Sequence, residues 1–219
     1  KIQEELSHKS LLKVISGLSN FDYQSVKKIS EAAFLGGADL LDIACKPELV
    51  ETAIEISSLP ICVSSVLPKS FINSVKAGAS LIEIGNYDSF YEKGISFSEE
   101  KVVDLTKETK DILPNVPLSV TVPHTIPIDK QVDLAMKLVL EGADIIQTEG
   151  GKSSNPYNSG IHGLLEKSVP TLAATLAIHK EFEKQSIYIP IMSASGLSEV
   201  TCPLAISCGA SAAGVGSIV

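Results

Sequence analysis

Short apolar runs alternate with amphipathic stretches along almost the whole chain. The runs "LLKVISG" (11–17), "DLLDIA" (39–44), "ICVSSV" (61–66) and "SLIEIG" (80–85) are rich in β-branched and aliphatic residues and read as strands. "PLSVTV" (117–122), "DIIQTE" (144–149), "IPIMSA" (189–194) and "AAGVGSIV" (212–219) continue the series to eight. Helical patterns lie between them. Over 129–141, Val132, Ala135, Met136, Val139 and Leu140 recur at the spacing of one helix face. Pro47 suits the first turn of a helix over 47–57, and Ser98 can cap a helix over 99–112. Eight strands joined by helical crossovers predict a single-domain parallel (β/α)8 barrel, with a doubly wound sheet as the alternative. A helix beyond Val219 is expected to complete the ring.

A repeat supports closure. "GGADLLDIA" (36–44), "AGASLIEIG" (77–85), "EGADIIQTE" (141–149) and "CGASAAGVG" (208–216) share Gly-Ala-Asp/Ser at a helix-to-strand junction. The glycines at 37, 78, 142 and 209 read as helix C-caps, and each repeat precedes an even-numbered strand. Alternation then separates the two faces of those strands. Leu41, Ile43, Ile82, Ile84, Ile146 and Val215 form an apolar set for the outer helices. Asp42, Ala44, Glu83, Gly85, Gln147, Glu149, Gly214 and Gly216 then point into the barrel.

Inward carboxylates are the first candidate chemistry, because like charges in an enclosed space raise one another's pKa. Asp42 and Glu83 lie mid-strand, where Lys13 of strand one can pair with them as a buried plug or order the floor of a site. Lys13 as a Schiff-base amine is the lesser alternative. Glu149, at the carboxyl end of strand six, falls on the rim where barrels carry catalysis and is the candidate general base or acid. His124, in "TVPHTIP" after strand five, is its candidate partner. A divalent metal on Asp42, Glu83, Glu149 and His124 is chemically possible, but no motif demands one, and no metal is assigned.

The strand-seven end "SASGLS" (193–198) and "GVGS" (214–217) form the second candidate. Loops after the last two strands of such barrels commonly cradle a phosphate, so Ser195, Gly196, Gly214, Gly216 and Ser217 are read as phosphate-binding. "GGKSS" (150–154) is not a P-loop, since Ile146 stands where that motif needs glycine. It opens a polar stretch read as a loop to Pro170, a candidate lid, from which Lys152 can reach an anionic ligand.

Composition narrows the partners. The net charge is −8 and the chain has no arginine, which excludes a nucleic-acid-binding stripe. No apolar run is long enough for a membrane span. Cys45, Cys62, Cys202 and Cys208 lack zinc-type spacing and are read as mostly buried, reduced thiols. A phosphorylated small molecule, with FMN among the candidates, is the expected ligand, and lyase, isomerase or synthase chemistry suits the layout better than hydrolysis. A metabolite-sensing or docking role without catalysis is the alternative.

Taken together, "LKVISGLSNFD" (12–22), "GGADLLDIACKPELV" (36–50), "LIEIGNYDSFY" (81–91), "GADIIQTEGGKSS" (142–154) and "IMSASGLS" (191–198) resemble the hypothetical chloroplast reading frame number twenty-three family of algal plastids and cyanobacteria. The resemblance implies an aldolase-type TIM barrel in the plastid stroma or the cyanobacterial cytoplasm, and supplies no reaction.

Overall fold

The computed structural model describes residues 2–150 and 156–216. Eight parallel strands close into a barrel in chain order. They are β1 (Leu11–Ile15), β2 (Leu40–Ala44), β3 (Ile61–Ser65), β4 (Leu81–Ile84), β5 (Leu118–Val122), β6 (Ile145–Thr148), β7 (Ile191–Ala194) and β8 (Ala212–Val215). The helices are α1 (Ile2–His8), α2 (Tyr23–Leu35), α3 (Pro47–Ile56), α4 (Phe71–Lys76), α5 (Asp88–Tyr91), α6 (Glu99–Ile112), α7 (Ile128–Leu140), α8 (Gly160–Gln185) and α9 (Cys202–Ser207). Among the described residues, no helix is long and apolar enough to cross a membrane. The expected eighth helix lies outside them.

The four-fold repeat has a physical cause. Gly37, Gly78, Gly142 and Gly209 all take positive φ, between 76° and 113°. The alanine after each donates its N–H back into the helix, to the carbonyls of Ala33, Ser74, Leu138 and Ala205. This closes a Schellman cap four times. The next residue then starts the ladder: Asp39, Ser80, Asp144 and Ser211 donate to the carbonyls of Leu12, Ile61, Leu118 and Ile191. The two aspartates add a side-chain bond, with Asp39 Oδ2 accepting from Leu12 N and Asp144 Oδ2 from Leu118 N, both at 2.9 Å. Helix stop and strand register are thus set by three consecutive residues.

Inside the barrel, Leu11, Leu40, Cys62, Leu81, Ile145, Met192 and Ala212 form an apolar layer at the amino end, closed from below by Leu6 of α1. Outside it, Leu41, Ile43, Val63, Ile82, Ile84, Val120 and Ile146 pack beneath the helices. The layer above the apolar plug is polar. The barrel therefore has a dry floor at one end and a hydrogen-bonded mouth at the other.

Three details differ from the sequence expectation. The buried stripe of α7 is Gln131, Leu134, Ala135 and Leu138, rotated about one position from the predicted face, and Leu140 is 85% exposed. The physical reason is that Leu134 and Leu138, a turn apart, place two long side chains on one line, so they set the face. The stretch read as a loop to Pro170 is helical from Gly160, and Pro170 lies inside α8. Pro170 removes one N–H, which would otherwise bond the Glu166 carbonyl. Pro170 is exposed and Glu166 only half-buried, so water can take that place. The buried stripe of α8 includes Ser168, Thr171 and Thr175, whose hydroxyls hide the apolar period. Among the four free cysteines only Cys62 is fully buried, and the others are intermediate.

Candidate functional site

Lys13, on β1, is wholly buried. Its Nζ lies 2.6 Å from Glu83 Oε2, 3.3 Å from Asp42 Oδ2 and 2.9 Å from Gln147 Oε1. Ser64 donates to Asp42 Oδ1 at 2.6 Å, and Gln147 Nε2 donates to Glu83 Oε1 and Thr121 Oγ1. Six consecutive strands, β1 to β6, thus contribute side chains to one lattice around a single ammonium. Burial opposes the charge on Lys13, but Asp42 and Glu83 outweigh it and hold the amine above its ordinary range. A wholly buried ammonium paired with two carboxylates has the arrangement of an electrostatic floor, the first of the two readings of Lys13. Burial raises Glu83, with the Asp42 charge adding and Lys13 opposing.

The second cluster stands at the rim. Glu149 follows β6 and is 4% exposed. Its Oε1 accepts from Tyr91 Oη at 2.7 Å and from the His124 backbone N–H at 3.1 Å, and lies 3.0 Å from His124 Nδ1, within hydrogen-bond distance. The Tyr91 and His124 rings meet edge to face, 4.9 Å between centroids. The bond to Glu149 raises the His124 pKa, burial opposes in part, and the charges of Glu149 and Asp88 add to the rise. Burial, then the Glu149 charge, pushes the Tyr91 hydroxyl up, so it stays a donor. Ligand atoms of Asp88, His124 and Glu149 lie within 4.8 Å of one another, the spacing a divalent cation uses. The set considered from sequence is split: Asp42 and Glu83 belong to the Lys13 lattice.

At the carboxyl end of β7, Ser195 and Gly196 are both left-handed, at φ 72° and 71°. Thr171 of α8 donates to the carbonyls of Ala194 and Ser195 at 3.0 and 2.8 Å. Gly196 is needed for space as well, because a Cβ there would lie 2.5 Å from the Lys167 carbonyl oxygen.

Gln147 of the lattice, Asp88 and Glu149 of the rim cluster, and Ser195 and Gly196 meet on the wall of one cavity of about 610 Å³. Its wall takes Ser16 to Asn20 after β1, Asn86, Asp88 and Ser89 after β4, Gln147, Glu149 and Lys167, and Ser195, Gly196 and Gly216. Of the residues read from sequence as phosphate-binding, Ser195, Gly196 and Gly216 share this wall with Glu149. Gly214 does not: it sits lower in β8, where a Cβ would meet Ala194 and Ile15 at 3.0 Å, so its small size serves strand packing. Ser217 and Lys152 lie outside the described residues. His124 stands behind Glu149 rather than on the wall. Sequence reasoning missed Asn86, Tyr91 and Asp88, although "GNYDSFY" offered a signal in an amide directly after the end of strand four.

A closed parallel barrel of eight strands with its cavity at the carboxyl rim is an aldolase-type architecture, and solved structures share that fold. "QR15, an Aldolase" is 17% identical with a TM-score of 0.66, covering 94% of this chain and 89% of that one. The tetrameric deoxyribose phosphate aldolase from Aeropyrum pernix is 14% identical with a TM-score of 0.67, covering 96% and 87%. At such identities the likeness shows the fold alone. The family comes from sequence: the model for "Protein of unknown function (DUF561)" matches residues 1–219, and the chain belongs to that family. "Uncharacterized protein ycf23" of Cyanophora paradoxa is 43% identical over 221 residues, covering 100% of this chain and 88% of that protein. The protein of the same description from Porphyra purpurea is 39% identical over 217 residues, covering 99% and 80%. The resemblance read from the motifs is therefore correct.

Proposed function

We propose that the chain binds a phosphorylated small molecule in the rim cavity and moves a proton on it, with Glu149 as the general base or acid. The phosphate lies against Ser195, Gly196 and Gly216, where glycines let backbone N–H groups approach the oxygens. Lyase, isomerase or synthase chemistry on a carbonyl compound suits this arrangement, since isomerisation and aldol addition take a proton from the carbon beside a carbonyl and aldol cleavage returns one to it. The observation that carries this reading is the hold on Glu149. A carboxylate on the cavity wall has one oxygen fixed by Tyr91 and by both nitrogens of His124 that face it. His124 then acts through Glu149, supplying or accepting the proton that balances it. The algal sources of the relatives support a plastid location, the stroma in algae and the cytoplasm in cyanobacteria.

The test is exchange of carbon-bound protons into D2O across phosphorylated aldoses and ketoses, followed by NMR. Exchange by the wild type that Glu149→Gln abolishes, with binding of the same compound retained, supports the proposal. Binding unaltered by Glu149→Gln, with no exchange on any compound, refutes catalysis and leaves a metabolite-sensing role. A flavin band in protein purified from its own cells makes FMN the phosphate-bearing ligand, and a colourless protein leaves phosphosugars.

A further inference from the structure

Asn86 and Gln147 both line the cavity with their amide nitrogens bonded into the Lys13 lattice, but only Gln147 also has its oxygen bonded there, to Lys13. Asn86 follows β4 and Gly85, and takes a left-handed φ of 62°, which asparagine tolerates better than most residues. Gly85 makes that turn reachable, because a Cβ there would overlap the Thr121 side chain. The chain therefore runs close against β5 and brings Asn86 over the barrel mouth. Its Nδ2 lies 3.0 Å from Asp42 Oδ2, 3.1 Å from Ser64 Oγ and 3.3 Å from Glu83 Oε1. All three are acceptors at those points. Ser64 has already given its hydrogen to Asp42 Oδ1, so only a lone pair faces the amide.

The opposite amide orientation would press a carbonyl oxygen against two carboxylate oxygens, which like partial charges forbid. The lattice around Lys13 thus fixes which branch of the amide points down. Among the described residues none donates to Oδ1, on the other branch, and Asn86 lines the cavity. An amide oxygen accepts and never donates. We infer that Asn86 is a specificity-determining residue whose Oδ1 selects ligands that place a hydroxyl or ammonium donor over the Lys13 lattice. Resting on the phosphate reading above, this narrows the ligand class to phosphorylated polyhydroxy or amino compounds. A ligand offering only carbon at that point leaves the oxygen desolvated and unpaired, and loses roughly tenfold or more in affinity.

The probes are inorganic phosphate, ribitol 5-phosphate and n-pentyl phosphate, the last having the same carbon count without hydroxyls. Titration calorimetry on the full chain should give ribitol 5-phosphate at least ~10-fold tighter binding than n-pentyl phosphate. In Asn86→Gly, which keeps the left-handed backbone, that ratio should fall toward one while inorganic phosphate binds as before. A wild-type ratio near one overturns the inference without recourse to any variant, and so does a ratio that survives in a folded Asn86→Gly. In both cases phosphate binding stands. Failure of the wild type to bind inorganic phosphate and both esters overturns the phosphate reading and this inference together.

Discussion

Replacing Lys13 by methionine tests the lattice on which both floor and mouth depend. Methionine matches the unbranched stem of lysine, so the change removes the charge with little loss of volume. What remains is two wholly buried carboxylates, Asp42 and Glu83, without the ammonium that lies 3.3 and 2.6 Å from them. Removing one partner of a buried ion pair costs ~3–5 kcal/mol, and here the stranded charge is double. For a domain of this size each kcal/mol lowers Tm by ~2–4 °C, so the midpoint should fall by roughly 6–20 °C.

The pH dependence identifies the cause. Glu83 is an acid whose folded pKa is raised, so between the ordinary carboxylate value and that raised value the folded state holds more protons than the unfolded one. Stability then decreases as pH rises through that window. Lys13 is the group that opposes the rise, so its removal moves the upper edge of the window further up. The deficit of Lys13→Met should therefore be smaller at about pH 5 than at about pH 7.5. Adding Glu83→Gln should recover part of it at the higher pH. Lys13 itself has a raised pKa, so its contribution in the wild type is complete below the ordinary value of 10.5 and is lost only as pH rises through the folded value above it. Thermal denaturation reads the midpoint and urea denaturation the free energies, both followed by circular dichroism. A deficit under ~1 kcal/mol, or one of equal size at both pH values, would show that the lattice does not carry the charge balance assigned to it.

Further expectations follow from the same geometry. In an NMR titration the His124 imidazole should titrate above the ordinary 6.5, and Glu149→Gln should bring it down, because the bond to Glu149 is the largest cause of the rise. The stabilisation from that pair is present below 6.5 and fades as pH rises through the folded value. Gly209→Ala forces a Cβ into the His179 ring at a φ of 106°, and should cost ~2–4 kcal/mol by thermal denaturation. Asp144→Ala deletes the acceptor for Leu118 N and the partner of Lys110, and should cost ~1–2 kcal/mol. An Asp144→Ala protein as stable as the wild type would detach the repeat from strand entry.

The barrel was legible because its signals are local. Each Gly-Ala-Asp/Ser needs only its own three residues to stop a helix and seat a strand, so the repeat can be read without knowing the partners. Strand alternation put Asp42, Glu83 and Gln147 on one face for the same reason. The helix around Pro170 was hidden because its buried stripe is threonine and serine, satisfied by bonds to β6 and β7 that are remote in sequence: Thr175 meets Thr148 and Ser193. Tyr91 and Asn86 were missed on similar grounds. Tyr91 gains meaning from Glu149, 58 positions away, and Asn86 from Asp42, 44 positions away. Nothing in the residues around either of them encodes those distances.

The Lys13 lattice also links stability to recognition. A buried pair of carboxylates is a poor stabiliser by itself, and an apolar layer like the one beneath it would serve the barrel at least as well. The polar layer instead sets the direction of two cavity-wall amides, Gln147 and Asn86. Gln147 is locked at both ends, by Lys13 on its oxygen and by Glu83 and Thr121 on its nitrogen. Asn86 is locked at its nitrogen end alone, which leaves its oxygen to the cavity. Converting the layer to methionine and leucine would therefore yield a barrel that folds but whose mouth has lost its orientation. A redesigned protein of high Tm that still preferred ribitol 5-phosphate over n-pentyl phosphate would break that link.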